Sequence, residues 1–180
     1  MKRLTLLRHA KSDWDDPVKR DFDRPLNRRG KRAALLIGQY ARAKDMRFDH
    51  LVASPAVRVV ETLETFIEGY GDRIETEWDR RIYLASAATL IDVIRDTPDR
   101  IDTLLLAGHN PGLEELILAL VADDGSSPLR DEVEEKLPTA SLAVIDLSVE
   151  SWSDVDKGKA TLTAFTRPRD LDPALGPEAR

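Results

Sequence analysis

Two short apolar runs constrain the fold of this chain more than any other feature of its sequence. The first is Leu4–Leu7, and the second lies within residues 102–107, Asp-Thr-Leu-Leu-Leu-Ala. Runs of this kind are typical of parallel strands that are buried on both faces of a sheet. Arg8-His9 follows the first run and Gly108-His109 follows the second. Because open α/β sheets bind ligands at the carboxyl ends of their strands, we expect both histidines at a ligand site.

Helical and extended patterns alternate along the rest of the chain. We interpret the polar residues 11–26 as a long loop over the site, since loops of this length in compact domains are usually functional or mobile. Periodicity and capping residues then predict a helix capped by Asn27, a strand over residues 49–53, a helix that starts at Ser54-Pro55, a strand over 73–78, a helix from Ala87, the strand over 102–107 and a helix that starts at Asn110-Pro111.

This order of elements predicts an α/β fold. Two further strands, over 141–147 and 159–166, follow a region with a short helix near residue 130. We therefore expect a single domain over residues 1–166. Its architecture would be a three-layer sandwich, with a central mostly parallel sheet, helices on both faces and the C-terminal strand pair at the edge. Residues 167–180 contain three prolines and little to bury, so they are predicted to be a frayed tail.

Composition excludes several classes of protein. The chain has no cysteine, so it has neither a disulfide framework nor a thiol nucleophile, and no apolar run approaches the roughly 18 residues of a membrane span. Met1-Lys2-Arg3 leads directly into the first strand, which leaves no room for a signal peptide, and we expect a cytoplasmic location. The net charge of −6 argues against a nucleic-acid partner. Residues 1–58 nevertheless hold 15 Lys or Arg against 7 Asp or Glu, which could focus an anionic substrate towards one face.

Three strand ends are expected to bring cations and imidazoles together. Arg8 and His9 follow the first strand, Arg58 lies one turn into the helix after the second, and His109 follows the fourth. A cation in the first turn of a helix opposes the helix dipole unless an anion is bound there. The two arginines can hold a phosphoryl group with bidentate guanidinium groups. One histidine can act as the nucleophile, forming a phosphoramidate, while the other donates a hydrogen bond to the phosphoryl oxygens.

A zinc site is the alternative interpretation of the histidines. His9, His50 and His109 could supply three imidazole ligands. We disfavour this site because two arginines would crowd it and because His50 lies at the other end of its strand. His50 is interpreted as structural, and no metal is expected.

The motifs also resemble a known family. Three segments resemble the three signatures of the histidine phosphatase (phosphoglycerate mutase-like) superfamily. They are Leu7-Arg8-His9-Ala10, residues 54–58 (Ser-Pro-Ala-Val-Arg) with Glu61-Thr62, and Gly108-His109-Asn110. Within this superfamily, the chain looks most like the SixA-type phosphohistidine phosphatase branch. This resemblance rests on its short length, the sequence Arg24-Pro25-Leu26-Asn27 and the segment Arg-His-Ala-Lys-Ser-Asp-Trp. The resemblance implies that His9 is phosphorylated, that Arg8, Arg58 and His109 form the phosphate pocket, and that no cofactor is needed. We add Arg24, Ser12 and Asn110 as candidate substrate or phosphate contacts.

The sequence departs from the family at the expected proton donor. Many members carry a carboxylate in the connection after the third strand, where only Asp79 is acidic here. Asp13, Asp15 and Asp16 are further candidates, of which we favour Asp13. An alkyl phosphate needs a general acid, whereas phosphohistidine can leave as neutral imidazole. We therefore expect a phosphatase that acts on protein phosphohistidine. The alternatives are a phosphomonoesterase for small phosphorylated metabolites and a non-catalytic phosphate- or phosphopeptide-binding module.

Overall fold

A computed structural model describes residues 1–15, 17 and 20–177, and one six-stranded sheet lies at its centre. The strands are β1 (Lys2–Arg8), β2 (His50–Ala53), β3 (Thr76–Trp78), β4 (Thr103–Gly108), β5 (Leu142–Leu147) and β6 (Ala160–Thr166). The helices are α1 (Arg28–Ala43), α2 (Val57–Tyr70), α3 (Ala87–Arg95), α4 (Gly112–Leu120), α5 (Pro128–Glu135) and α6 (Pro168–Leu171). Among the described residues, no helix is both long enough and apolar enough to cross a membrane.

The sheet confirms the predicted topology. Its strand order is β3-β2-β4-β1-β5-β6. The first four strands in this order are parallel to one another. By contrast, β5 runs antiparallel to β1, and β6 runs antiparallel to β5. In the pairing of β1 with β4, Arg8 lies opposite Gly108, so these two strands end side by side. The carboxyl ends of β1, β2 and β4 therefore meet at one edge of the sheet.

Alternate residues of the central strands pack on opposite faces of the sheet. Leu6 and Leu106 belong to the core beneath α3, α4 and α5, whereas Leu7 and Leu105 belong to the core beneath α1 and α2. A strand that is apolar at every position is required for this arrangement, because both of its faces are covered. The predicted three-layer architecture is thus built on the two apolar runs, whose carboxyl ends lie at the site.

Two of the predicted helix starts differ from the structure. Asn27 caps α1 as expected, since its side chain accepts a hydrogen bond from the backbone N–H of Gly30 at 2.7 Å. Ser54, however, is not the cap of α2, which begins only at Val57 after an N-cap at Ala56. Similarly, α4 begins at Gly112, with Pro111 rather than Asn110 at its N-cap. Both segments therefore contain one or two more residues between strand and helix than predicted.

The C-terminal segment forms short helical turns that contact α1, which differs from the frayed tail predicted from residue 167. Residues 168–171 form α6, and Pro173–Leu175 forms a 3-10 turn. Arg32 of α1 makes an ion pair with Asp172, and Arg29 donates a hydrogen bond to the carbonyl of Gly176. Two of the three prolines that suggested a loose end, Pro168 and Pro173, instead start the short helical turns. Residues 178–180 lie outside the described part of the chain.

Replacement of Gly38 by Ala tests the close packing of α1 on α2. A Cβ atom at Gly38 would lie 2.1 Å from the carbonyl oxygen of Phe66, so the two helices would have to separate. Overpacking of this kind typically costs about 1–3 kcal/mol, and we expect urea denaturation to show a loss of at least ~1 kcal/mol of unfolding free energy. Gln39→Ala, at an exposed neighbour, is the control and should change this free energy by less than about 0.5 kcal/mol. Equal stability of the two variants would contradict the packing described here.

Candidate active site

The ends of β1 and β4 place two histidines next to each other. Arg8 is the last residue of β1 and Gly108 is the last residue of β4. The backbone N–H of His9 donates to the carbonyl of Gly108 at 3.0 Å, which extends the strand pairing by one residue. The ring centroids of His9 and His109 are consequently 5.4 Å apart. The structure thus brings together the two histidines that the sequence places about a hundred residues apart.

The ring of His9 is held in a defined tautomer. Its Nδ1 lies 2.7 Å from the carbonyl oxygen of Ala10. A carbonyl can only accept a hydrogen bond, so Nδ1 carries the proton and the neutral ring keeps its lone pair on Nε2. The backbone of Ala10 is itself fixed, because its N–H donates to Thr62 Oγ1 at 2.9 Å, and that hydroxyl donates to the carbonyl of Arg58 at 2.6 Å. Helix α2 therefore fixes the loop that orients His9.

Burial keeps both site histidines neutral. Desolvation lowers the pKa of His9 to about 4. The hydrogen bond to Ala10 opposes this shift, whereas the charges of Arg8 and Arg58 reinforce it. Desolvation and the charge of Arg58 lower the pKa of His109 to about 3. At neutral pH, His9 is consequently a neutral imidazole that carries its proton on Nδ1 and a lone pair on Nε2. This is the state that a nucleophile requires.

The amino end of α1 packs against the same loop. The backbone N–H of Asn27 donates to the carbonyl of Lys11 at 3.0 Å. Gly30 permits this approach, since a Cβ atom there would lie 2.2 Å from the Lys11 carbonyl oxygen. The loop after His9 is thus supported from one side by α2 and from the other by α1.

His109 has one nitrogen in use and one without a partner. Its Nε2 lies 2.7 Å from Ser54 Oγ, which also accepts a hydrogen bond from the backbone N–H of Ala56 at 3.3 Å. The edge of the Tyr83 ring packs against the imidazole, with centroids 5.3 Å apart. Nδ1 is buried and has no hydrogen-bond partner within the described residues. When the Ser54 hydroxyl donates to Nε2, Nδ1 is left as a donor for a ligand.

Two guanidinium groups complete the cluster. Arg8 Nη1 donates to the carbonyl of Leu137 at 2.8 Å, while its buried Nε has no partner among the described residues. Arg58, which is buried, donates to the backbone and side chain of Asp21 at 2.7 and 3.0 Å. Arg8, Arg58 and His9 line one cavity. The unpartnered donors on Arg8 and His109 fit an oxyanion placed beside His9.

Asp21 and Tyr83 are the residues of this cluster that sequence reasoning did not predict. The Tyr83 hydroxyl donates to the Asp21 carboxylate, which also accepts from Arg58. Burial alone would raise the pKa of Asp21, but the Tyr83 hydrogen bond and the charge of Arg58 hold it below its usual value. Asp21 lies in a 3-10 turn, Asp21–Asp23, within the loop predicted to cover the site. It is therefore an ionised carboxylate in the cavity.

Ser12 lines the cavity, but Arg24, Asn110 and His109 do not. His109 belongs to the site through its ring, which lies next to that of His9. Arg24 packs its guanidinium group 3.8 Å from the centre of the Trp14 ring. Asn110 uses its side chain on backbone groups: it donates to the Leu137 carbonyl at 3.2 Å and accepts from the N–H of Glu114 at 3.2 Å. Arg24 and Asn110 thus stabilise loops around the site instead of lining it.

The two predicted proton donors, Asp13 and Asp79, are engaged by local turns and do not line the cavity. Asp13 accepts a hydrogen bond from the backbone N–H of Asp15, and it does not line the cavity. Asp79 caps the 3-10 turn Arg80–Ile82 and makes an ion pair with Arg81 at 2.7 Å. Local turn geometry therefore accounts for both carboxylates. Asp16, a further candidate, lies outside the described residues.

The three-histidine zinc alternative does not fit the structure. His50 lies at the amino end of β2, and its Nε2 is 3.2 Å from a carboxylate oxygen of Glu77. His9 and His109 lie at the carboxyl end of the sheet. In the described part of the chain, no three histidine, aspartate or glutamate side chains form a group that could hold a metal ion.

Comparisons with known proteins place the chain among relatives. The model of the histidine phosphatase superfamily (branch 1) matches residues 4–82. The uncharacterised protein Rv1276c of Mycobacterium tuberculosis is 35% identical over 165 residues, which cover 91% of this chain and all of that protein.

Two solved structures of SixA proteins superpose on this chain. SixA from Agrobacterium tumefaciens superposes with a TM-score of 0.79 and is 29% identical, covering 93% of this chain and 98% of that one. SixA from Nakamurella multipartitia superposes with a TM-score of 0.80 and is 26% identical, covering 93% of this chain and 96% of that one. The chain therefore belongs to the histidine phosphatase superfamily, and within it to the SixA-type branch.

Proposed function

We propose that this phosphatase removes the phosphoryl group from phosphohistidine in a protein, and that His9 carries the group as a covalent intermediate. The observation that supports the proposal most strongly is the state of His9. Its Nδ1–H is tied to the Ala10 carbonyl, which leaves the lone pair on Nε2, and His9 lines a cavity together with Arg8 and Arg58. Phosphoryl transfer depends mainly on positioning and charge stabilisation, which this arrangement supplies.

In the first step, the Nε2 lone pair of His9 attacks phosphorus. A bond forms between Nε2 and phosphorus while the P–N bond of the substrate breaks. The substrate imidazole leaves as a neutral ring, because its other nitrogen already carries a proton. Arg8 and Arg58 balance the charge on the equatorial oxygens, and His109 donates through Nδ1.

In the second step, water attacks the phosphorus of the phosphorylated His9. The His9 ring still carries its proton on Nδ1, so the phosphorylated ring is cationic and departs as neutral imidazole. Inorganic phosphate is the product, and the proton of the attacking water passes to phosphate or to solvent. The hydrogen bond to Ala10 thus serves both steps, since it fixes the proton on the nitrogen that does not react.

The ionised Asp21 supports a P–N substrate over an alkyl phosphate. An alkoxide leaving group needs a proton in the transition state, and a carboxylate whose pKa is held low cannot supply one at neutral pH. A protonated phosphohistidine brings its own proton. The A. tumefaciens relative is assigned as a phosphohistidine phosphatase, which agrees with this choice. A phosphomonoesterase for small metabolites is the alternative that this reasoning disfavours.

Trapping with a labelled phosphoryl donor tests the covalent step. Denaturation during turnover should yield protein labelled at His9, in a linkage that acid cleaves and alkali does not. His9→Ala should lose the label because it lacks the attacking nitrogen. His50→Gln, at the other end of the sheet, should keep it. Label that persists in His9→Ala, or turnover by the wild type without any label, would refute the proposed intermediate.

A comparison of leaving groups tests the substrate. General acids typically contribute roughly 10²–10⁴-fold to rate, so kcat/KM for an alkyl monophosphate should be at least ~100-fold below that for a phosphohistidine peptide. An activated aryl phosphate, whose leaving group needs no proton, is the control and should be hydrolysed. Similar kcat/KM values for the alkyl phosphate and the phosphohistidine peptide would favour the phosphomonoesterase instead.

A further inference from the structure

The cavity at His9 is larger than a phosphoryl group requires. Its volume is about 540 Å³, within the range of roughly 300–1,000 Å³ that holds whole small-molecule ligands. From Arg8 and His9, it continues between the amino end of α1 and the C-terminal segment of residues 167–177. We call the part of the cavity outside the phosphoryl site the distal groove; it is lined by Arg29 and Ala33 of α1, by residues 136–139 and by the C-terminal segment. It has room for atoms of the substrate that do not react.

The wall of the distal groove is a fixed part of the fold. Leu171 and Leu175 pack on the core beneath α1 and α2. Asp172 is in an ion pair with Arg32, and the carbonyl of Gly176 accepts a hydrogen bond from Arg29. The C-terminal segment is therefore anchored to α1 at several points, and its side chains are held in place towards the cavity.

The cavity has a strongly positive lining in a protein of net charge −6. Seven of its eighteen lining residues are Lys or Arg, and Asp21 is the one acidic residue among them. Arg8 and Arg58 belong to the phosphoryl site. Lys136 and Arg169 line the distal groove, and neither has an ion pair within the described residues. Cations that are not neutralised by the protein attract and retain anionic ligands.

Apolar side chains also contribute to the lining. Ala33, Pro138, Pro168 and Leu175 all line the same cavity. A ligand that consisted only of phosphates would leave this apolar surface without a partner. A peptide segment that carries both acidic and aliphatic side chains matches the two kinds of lining at once, as in other grooves that bind acidic motifs.

We propose that the distal groove binds acidic residues that flank the phosphohistidine in a protein substrate, with Lys136 and Arg169 as the recognition cations. The inference rests on the proposed function, because it names the part of the substrate that lies next to the reacting group. The groove then selects among phosphohistidine proteins by charge, while the phosphoryl site does the chemistry.

Two phosphohistidine peptides that differ only in flanking charge test this selection. One peptide has Asp and Leu beside the phosphohistidine, and the other has Lys and Leu; free phosphohistidine reports the chemistry alone. For the wild type at low salt, kcat/KM for the acidic peptide should exceed that for the basic one by about tenfold or more, and the ratio should shrink as salt screens the charges. Equal values for the two peptides, with free phosphohistidine hydrolysed, would overturn the inference and leave the proposed function standing.

Charge reversal in the distal groove provides the second arm. The double variant Lys136→Glu/Arg169→Glu should remove or invert the preference for the acidic peptide, and it should lower kcat/KM for that peptide more than for free phosphohistidine. Arg100→Glu, an exposed charge reversal at the opposite edge of the sheet, should leave the preference intact. Melting temperatures show whether each variant is folded. An unchanged preference in the folded double variant would also overturn the inference. Failure to hydrolyse free phosphohistidine and both peptides would overturn the proposed function and the inference with it.

Discussion

The hydrogen bond from His9 Nδ1 to the Ala10 carbonyl is the interaction on which the rest of the site depends. It decides which nitrogen keeps the proton, and so which nitrogen has the lone pair. The surrounding fold serves to hold this one carbonyl in place. Thr62 fixes the backbone N–H of Ala10, and Gly30 lets the end of α1 reach the next residue of the loop. Two helices from one face of the sheet therefore set the chemistry of a side chain at its edge.

The charge balance of the site depends on Asp21. Arg8, Arg58 and two imidazoles are brought together at one sheet edge, and Arg58 also lies in the first turn of α2, where the helix dipole opposes a cation. The Asp21 carboxylate supplies the missing negative charge, and Tyr83 orients it by a hydrogen bond. A phosphoryl group bound as proposed would carry the same sign of charge to the guanidinium of Arg58. In the free protein, Asp21 therefore balances the positive charge of Arg58, a role that the substrate would share once it is bound.

Much of the fold was predictable because local pattern and tertiary structure agree there. The apolar β1 and β4 are buried on both faces, and their carboxyl ends deliver Arg8-His9 and His109 as expected. Ser54 was assigned wrongly for a physical reason: a serine before a proline is a typical helix cap, but its hydroxyl instead bonds His109. Nothing in the local sequence distinguishes these two uses of the same side chain.

The remaining site residues come from contacts that sequence periodicity does not encode. Asp21 lies in an irregular loop, and Tyr83 lies in a connection after β3 where a carboxylate was expected. Each acquires its role only through the other and through Arg58. Asp13 and Asp79 were plausible donors by position, but their carboxylates are used by nearby turns. The docking of residues 167–177 on α1 was likewise unpredictable, because its apolar anchors, Leu171 and Leu175, make too short a pattern, and its other anchors are an ion pair and a hydrogen bond to a carbonyl.

The state of the His9 ring can be measured directly by nitrogen NMR of 15N-labelled histidine, with His9→Ala used to assign the signal. With the pKa of His9 lowered to about 4, the ring should stay neutral from pH 8 down to pH 5. Throughout this range Nδ1 should carry the proton and Nε2 should give the shift of an unprotonated nitrogen. Titration of His9 near the ordinary histidine pKa of about 6.5, or a proton on Nε2, would contradict the account of the site.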